Sequence, residues 1–156
     1  MKNYLVKLLA TFFGIGFLPL IPGTFGSAAG AAIYYFLWKN EPAFYAVLFI
    51  ITIIGFSVCG SAEKAFGKKD PRCIVIDEVA GVMIAFILVP FTWVNAIIVF
   101  ALFRFMDIVK PYPIRKLEKM PGGFGIMLDD IAAGLYANIL FQIFLINQAL
   151  LGKYAI

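Results

Sequence analysis

The feature of this chain that most constrains its fold is that the apolar residues come in long blocks, not at every second or fourth position. Only 14% of the 156 residues are charged, whereas soluble domains carry about 25%. Uninterrupted apolar blocks are typical of helices that cross a membrane. Six of them occur, at residues 5–20, 24–38, 42–59, 73–89, 92–105 and 127–151. We therefore expect an all-α integral membrane protein with a single membrane-embedded domain over residues 1–156.

The charged loops predict how many times the chain crosses the membrane. The loops at 61–72 and 110–123 are rich in Lys and Arg, which favours the cytoplasmic side for both. An even number of crossings must then separate them. The apolar stretch between them, residues 75–105, would form a helix of about 45 Å, too long for a hydrocarbon core of about 30 Å. Because Pro90 interrupts this stretch, it is predicted to form two spans.

The first block, residues 5–20, differs from the others. Gly14, Gly16 and Pro19 interrupt it, which favours an interfacial or re-entrant helix over a full span. The prediction is thus about five transmembrane helices that follow an N-terminal interfacial or re-entrant helix. Small residues at 26–32 suit a close contact between two of these helices.

Acidic residues are concentrated where the predicted spans meet the cytoplasmic side. Five of the nine lie there within apolar sequence, and they are Asp77, Glu78, Asp107, Asp129 and Asp130. Carboxylates at this depth are costly, so their convergence predicts a single site. Simpler roles exist for some of them: Asp77 and Asp129 could cap helices, and Asp107 could pair with Arg104. The other four, Glu41, Glu63, Asp70 and Glu118, are predicted to be solvated.

The residues around these acids indicate a metal ion and a phosphate group. Clustered carboxylates are typical Mg²⁺ ligands, and the cation offsets their mutual repulsion. Three basic residues lie near Asp107 in the sequence: Arg104, Lys110 and Arg115. Such side chains bind phosphate oxygens or anchor a loop at the membrane. In "PGTFGS", Thr24 could cap a helix whose backbone N–H groups at Gly26 and Ser27 bind an anion.

The residue types that are missing exclude several phosphate chemistries. The chain has no histidine, which excludes a phosphohistidine mechanism. Cys59 and Cys73 have neither metal-binding spacing nor the arginine that a cysteine phosphatase needs six positions later. No Asp-x-Asp pair occurs either. The net charge of +4 comes mainly from the two basic loops, which indicates membrane headgroups and not nucleic acid. Two mechanisms remain: attack by a water that carboxylate-held Mg²⁺ activates, and attack by an Asp nucleophile.

Four stretches together resemble the phosphatidylglycerophosphatase A family: "PGTFGS", "DEVAG", "FRFMDIVKPYPI" and "GIMLDDIAAG". They stand in the family's order and cover most of the chain, although the longer polar N-terminal extension of some members is absent. The resemblance implies Mg²⁺-dependent hydrolysis of phosphatidylglycerophosphate to phosphatidylglycerol and inorganic phosphate. It also implies a multi-pass protein of the bacterial inner membrane, with its active site on the cytoplasmic side and its phospholipid substrate in the bilayer.

With this resemblance, roles can be assigned to the candidate residues. We expect Mg²⁺ to bind Glu78, Asp107, Asp129 and Asp130, with Asp77 as a further ligand or the general base. The phosphate is expected to lie among Thr24, Gly26, Ser27, Arg104, Lys110 and Arg115. Two other functions stay open: a small cation transporter or channel, whose acids would lie near the membrane midplane, and a phosphatidyl- or phosphotransferase with the same metal site.

Overall fold

The computed structural model describes residues 2–154, and this part of the chain is helical without any strand. The all-α prediction is therefore confirmed. Within the described range the elements are α1 (Lys2–Ala10), a 3₁₀ turn (Ile15–Phe17), α2 (Pro22–Leu37), α3 (Glu41–Phe66), α4 (Ile76–Ala85), α5 (Trp93–Val109), α6 (Ile114–Leu117) and α7 (Gly123–Tyr154).

Two helices of the described chain are long and apolar enough to cross a membrane: Glu41–Phe66 and Gly123–Leu150. Helices α2 and α5 have 16 and 17 residues, slightly less than a full crossing needs. Helix α4 has only 10 residues and is about 15 Å long. The prediction of five transmembrane helices is therefore not confirmed.

The N-terminal apolar block is not one continuous helix. Helix α1 ends at Ala10, and Phe12, Phe13 and Gly14 all have positive φ angles. The chain then turns through the 3₁₀ segment before α2 begins. This break agrees with reading residues 5–20 as something other than a full span.

Helix α4 is the centre of the molecule, with every residue buried except the half-buried Glu78. Glycines of α2 let it approach closely. A Cβ on Gly26 would lie 2.8 Å from Cβ of Val75, and one on Gly30 would lie 2.7 Å from the carbonyl oxygen of Val79. The prediction that the small residues at 26–32 permit a close helix contact is confirmed.

Helices α4 and α7 cross at Gly81 and Gly134. A Cβ on Gly81 would lie 2.7 Å from the backbone oxygen of Asp130, and one on Gly134 would overlap the Gly81 carbonyl. Only glycine permits this approach. As a consequence, the first turn of α4, with Asp77 and Glu78, lies beside Asp130 of α7.

Two amide side chains of α7 complete the C-terminal end of α4. Asn138 Nδ2 donates to the carbonyl oxygens of Ala85 (3.0 Å) and Ile87 (2.7 Å). Gln142 Nε2 donates to those of Ile87 (3.3 Å) and Leu88 (3.2 Å). A helix end leaves several carbonyls without partners, and this is costly away from water. These bonds explain how the apolar block at 73–89 can leave the helical conformation early.

Aromatic rings gather at the opposite end of the molecule from the five acids. Trp38 stacks on Phe91, and Tyr35 stacks on Trp93, each with ring centroids 5.3 Å apart. This cluster joins the C-terminal end of α2 to the start of α5. Aromatic residues at helix ends are typical of a membrane–water interface.

Candidate functional site

A cavity of about 300 Å³ opens at the end of the molecule where α2 and α4 begin and α5 ends. The structure brings all five predicted acids to its wall: Asp77, Glu78, Asp107, Asp129 and Asp130. They come from three helices that are far apart in sequence. The cavity is therefore the candidate site.

The innermost acids are Asp77, Glu78 and Asp130. One carboxylate oxygen from each lies within 4.8 Å of the others. Asp77 and Asp130 are only 6% and 4% exposed. Two carboxylates come from the first turn of α4 and the third from α7, and the crossing at Gly81 and Gly134 holds them together.

Several carboxylate oxygens at this site are buried without a hydrogen-bond donor among the described residues. They are Oδ1 of Asp77, Oε2 of Glu78, Oδ1 of Asp129 and Oδ1 of Asp130. A buried acceptor without a partner is costly, and a buried negative charge is more so. Oxygen donors in such a group are the ligands that Mg²⁺ prefers. These residues therefore fit a divalent cation.

Arg104 connects the cavity to α2. Its Nη1 lies 2.8 Å from Oδ2 of Asp107, so the predicted pairing of these two residues is confirmed. The same nitrogen donates to Oγ of Ser27 (3.2 Å), and the Ser27 hydroxyl donates to the carbonyl oxygen of Gly23 (2.9 Å). These bonds fix the guanidinium group at the cavity wall.

Lys110 connects α5 to α7 and to the loop after α6. Its Nζ lies 2.7 Å from Oδ2 of Asp129 and 2.9 Å from Oε1 of Glu118. Burial alone would lower the pKa of Lys110, but the hydrogen bonds and charges of Asp129 and Glu118 outweigh it and hold that pKa above its ordinary value. The side chain is therefore a cation at neutral pH.

The structure does not bring all the predicted phosphate-binding residues to the cavity. Gly26 packs against Val75, and Ser27 is fully buried with its hydroxyl engaged by Gly23 and Arg104. Arg115 is exposed and lines a separate surface depression. Lys110 lines both this depression and the cavity, whereas Arg115, on α6, lines the depression alone.

The capping roles considered for Thr24 and Asp129 are wrong, and Asp77 makes no capping hydrogen bond although it lies in the first turn of α4. Helix α2 begins at Pro22 and α4 at Ile76, and neither has a side-chain cap. Helix α7 begins at Gly123, so Asp129 lies more than one turn inside it. Thr24 nevertheless lines the cavity.

Five charged residues of the cavity wall were not among the predicted site residues: Glu63, Lys69, Asp70, Arg72 and Glu118. The three acids were predicted to be solvated, and the two cations were used only to orient the loops. No local pattern marks Glu118 as a partner of Lys110, because two prolines and a short helix lie between them. The one sequence signal for these five residues was that they cluster near helix ends.

Charge on the cavity wall is strongly unbalanced. Eight acidic side chains face four basic ones, so the formal charge is −4. An isolated wall of this kind repels a phosphate anion, while a bound divalent cation reduces the repulsion. The balance thus supports a cation as part of any phosphate chemistry here.

Comparison with known proteins places these features in a family. The sequence profile described as Phosphatidylglycerophosphatase A matches residues 8–145. The Phosphatidylglycerophosphatase A proteins of Haemophilus influenzae and Escherichia coli are each 39% identical, over 86% and 87% of this chain and 85% and 81% of their own lengths. A Bacteroides thetaiotaomicron protein with the provisional name phosphatidylinositol-3-phosphatase is 38% identical over 90% of this chain and 94% of its own length. No solved structure matches the chain significantly. By these matches the chain belongs to the phosphatidylglycerophosphatase A family of phosphatases.

Proposed function

We propose that this protein hydrolyses phosphatidylglycerophosphate to phosphatidylglycerol and inorganic phosphate at the cytoplasmic face of a bacterial membrane. The observation that carries the proposal is the convergence of five carboxylates and two fixed cations in one cavity of a chain that belongs to this family. All five acids line a cavity at one end of the molecule, and this argues against a transport path with acids near the midplane.

The cofactor in this proposal is Mg²⁺. Glu78 and Asp130 would hold it through the oxygens that lack hydrogen-bond donors, with Asp129 and Asp107 beside them. When bound, the ion polarises phosphoryl oxygens and lowers the pKa of a coordinated water. The nearby ion pairs with Lys110 and Arg104 restrain Asp129 and Asp107, so these two carboxylates reach the cavity in fixed orientations.

The terminal phosphate is proposed to lie between the acids and the N-terminal end of α2. Arg104 retains guanidinium N–H groups beyond those used for Asp107 and Ser27, and such a fork matches phosphate oxygens. Thr24 and the backbone at Gly23 line the same side of the cavity. Donors held in place before the reaction stabilise charge that develops in the transition state.

A carboxylate is available to take up a proton from the attacking water. Oδ1 of Asp77 is buried and has no donor among the described residues, and Glu78 lies beside it. We assign the base to Asp77 on this ground. The alternative, in which an Asp attacks phosphorus directly, would place phosphate on the enzyme before water releases it.

The membrane arrangement that we propose has five crossings. Helix α4 and the turn after it would run from the acids to the aromatic cluster, because Tyr34 near the end of α2 donates to the carbonyl oxygen of Val89 (2.6 Å). The basic loops at 61–72 and 110–123 flank the cavity and favour the cytoplasm for that end. The acyl chains of the substrate would remain in the bilayer while the headgroup enters the cavity.

Phosphate release from purified protein in detergent tests the proposal. The wild type should release phosphate from phosphatidylglycerophosphate with Mg²⁺ and lose this activity in EDTA. Asp130→Asn should be inactive, whereas Glu41→Gln, at the opposite end of the molecule, should retain activity. Reaction in ¹⁸O-labelled water should place label in the released phosphate without a trapped phosphoenzyme. Full activity in EDTA would refute the role of the metal, and no release from any lipid would refute the proposed activity.

A second substrate has support from one relative. The Bacteroides thetaiotaomicron protein with the provisional name phosphatidylinositol-3-phosphatase covers 90% of this chain at 38% identity. Phosphatidylinositol 3-phosphate also carries a phosphate monoester on a lipid headgroup. Comparing kcat/KM for the two lipids in the same detergent decides between them.

A further inference from the structure

Two cations of the cavity wall have no part in the chemistry proposed above. They are Lys69 and Arg72, from the loop between α3 and α4. Arg104 and Lys110 each form an ion pair with a cavity acid, but no ion pair within residues 2–154 involves Lys69 or Arg72. Both side chains are exposed at the mouth of the cavity. They are therefore available to an anion that enters it.

The loop that carries these two cations is anchored. The backbone N–H of Asp70 donates to Oε1 of Glu63 (2.9 Å) at the C-terminal end of α3. Pro71, which stands between Asp70 and Arg72, is buried. Because both contacts fix the backbone, Lys69 and Arg72 are held at the cavity mouth and do not move freely with the rest of a surface loop.

A general attraction to anionic lipids does not account for this placement. Basic residues in such loops commonly lie at the membrane surface and attract headgroups without selectivity. Lys68, next to Lys69 and also exposed, suits that role, since it lies outside the cavity wall. Lys69 and Arg72 differ from it because they line the same cavity as the acids.

The chemistry of the proposed substrate supplies an anion for this position. Phosphatidylglycerophosphate carries the monoester that is hydrolysed and, across a three-carbon glycerol, the diester that joins the headgroup to the acyl glycerol. When the monoester lies among the inner acids, the diester lies a three-carbon glycerol away from them, towards the exposed residues of the cavity wall. Glu63, Asp70 and Glu118 add negative charge to the same wall, so a second anion in this cavity requires nearby cations.

We propose that Lys69 and Arg72 form a subsite for this phosphodiester, so that the enzyme selects lipids with a diester beside the monoester. Arginine and lysine are the side chains that bind phosphate oxygens best. Phosphatidate, which has a monoester alone, leaves the subsite empty. This inference rests on the proposed function. It extends to phosphatidylinositol 3-phosphate, which also carries both groups.

Kinetics with two short-chain lipids in neutral detergent test the subsite. Initial rates are measured at saturating Mg²⁺ with phosphatidylglycerophosphate and with phosphatidate for Lys69→Gln, Arg72→Gln, the double variant and the control Lys68→Gln. Each single variant should raise KM for the diester-containing lipid about 3- to 10-fold, and the double variant about 10- to 100-fold, with kcat nearly unchanged. KM for phosphatidate should not change. The control should match the wild type with both lipids.

Product inhibition gives a second measurement. It tests whether Lys69 and Arg72 bind the diester even if the wild type does not cleave phosphatidate. Phosphatidylglycerol carries the diester alone, so its inhibition constant should rise in the same variants by the same factor. An unchanged KM and inhibition constant in the double variant, or an equal rise in Lys68→Gln, would overturn the subsite while leaving the phosphatase activity intact. A change that appears only in vesicles rich in anionic lipid would assign the two cations to the membrane surface. Absence of wild-type activity on every lipid would overturn the proposed function and the subsite together.

Discussion

The Nζ of Lys110 lies 2.7 Å from Oδ2 of Asp129, and this ion pair joins the C-terminal end of α5 to α7. Glu118 binds the same ammonium group from the loop after α6. One lysine thus fixes three segments around the cavity. It also supplies positive charge directly beside a carboxylate that we propose to be near the metal.

Replacing Lys110 with Met should leave Asp129 as a nearly buried carboxylate without a cation. We expect a loss of about 2–3 kcal/mol in the free energy of unfolding, less than the roughly 3–5 kcal/mol of a fully buried pair, because Lys110 is partly exposed. The double variant, Lys110→Met with Asp129→Asn, should be more stable than Lys110→Met alone. Denaturant unfolding in detergent measures this double-mutant cycle, with Lys116→Met on the neighbouring helix as a control. A coupling energy near zero would contradict the role of the pair.

Mg²⁺ should stabilise the folded protein, independently of any activity. At 100 times its dissociation constant a ligand adds about 2.7 kcal/mol, or an increase of about 5–10 °C in Tm for a chain of this length. Asp130→Asn should lose this increase. In EDTA it should unfold no lower than the wild type, because one of the crowded negative charges is removed.

Differential scanning fluorimetry measures both effects, and Glu41→Gln should behave as the wild type does. The same increase in Tm for Asp130→Asn and the wild type would exclude Asp130 as a ligand.

Asn138→Leu should destabilise the protein although the new side chain is apolar. It removes the side-chain donor to the Ala85 carbonyl and one of the two donors to the Ile87 carbonyl, and a buried acceptor left without a partner costs about 1–3 kcal/mol. Asn147→Leu, at an exposed position of the same helix, should cost little. Unfolding free energies in detergent compare the two variants. Equal stability would mean that the end of α4 does not depend on Asn138.

Gly23→Ala and Gly81→Ala should fail in different ways. A Cβ on Gly81 would meet the backbone of Asp130 at 2.7 Å, so α4 and α7 must separate, at a cost of about 1–3 kcal/mol. A Cβ on Gly23 would overlap only the end of the Glu78 side chain, which can rotate away, and would lie at 3.4 Å from Nη1 of Arg104, an ordinary contact. We therefore expect Gly23→Ala to keep its Tm in EDTA but to bind Mg²⁺ more weakly. Gly81→Ala should have both a lower Tm in EDTA and a weaker affinity for Mg²⁺.

Titrating Mg²⁺ against Tm distinguishes these two variants. If Gly23→Ala retained the affinity of the wild type for Mg²⁺, Glu78 would not be needed as a ligand in its present orientation.

Local properties of the chain were sufficient to predict the helical class and the acids that share the site. Apolar blocks indicate helices because a backbone in lipid must satisfy its own hydrogen bonds. The basic loops indicate which ends lie together, and Asp77, Glu78 and Asp130 indeed meet at one end. The i, i+3 pair of Arg104 and Asp107 was also predictable, since helical geometry alone brings the two side chains together.

Only the tertiary structure decided the length of α4 and the partners of the charged side chains. The apolar block at 73–89 has no sign that its helix ends at Ala85, because the donors that stabilise that end belong to Asn138 and Gln142, more than fifty residues later. In the same way, Lys110 lies in the cavity and Arg115 lies outside it, although both are basic residues of one loop. Periodicity and charge are read along the chain, whereas hydrogen-bond partners and cavity walls depend on which helices pack against each other.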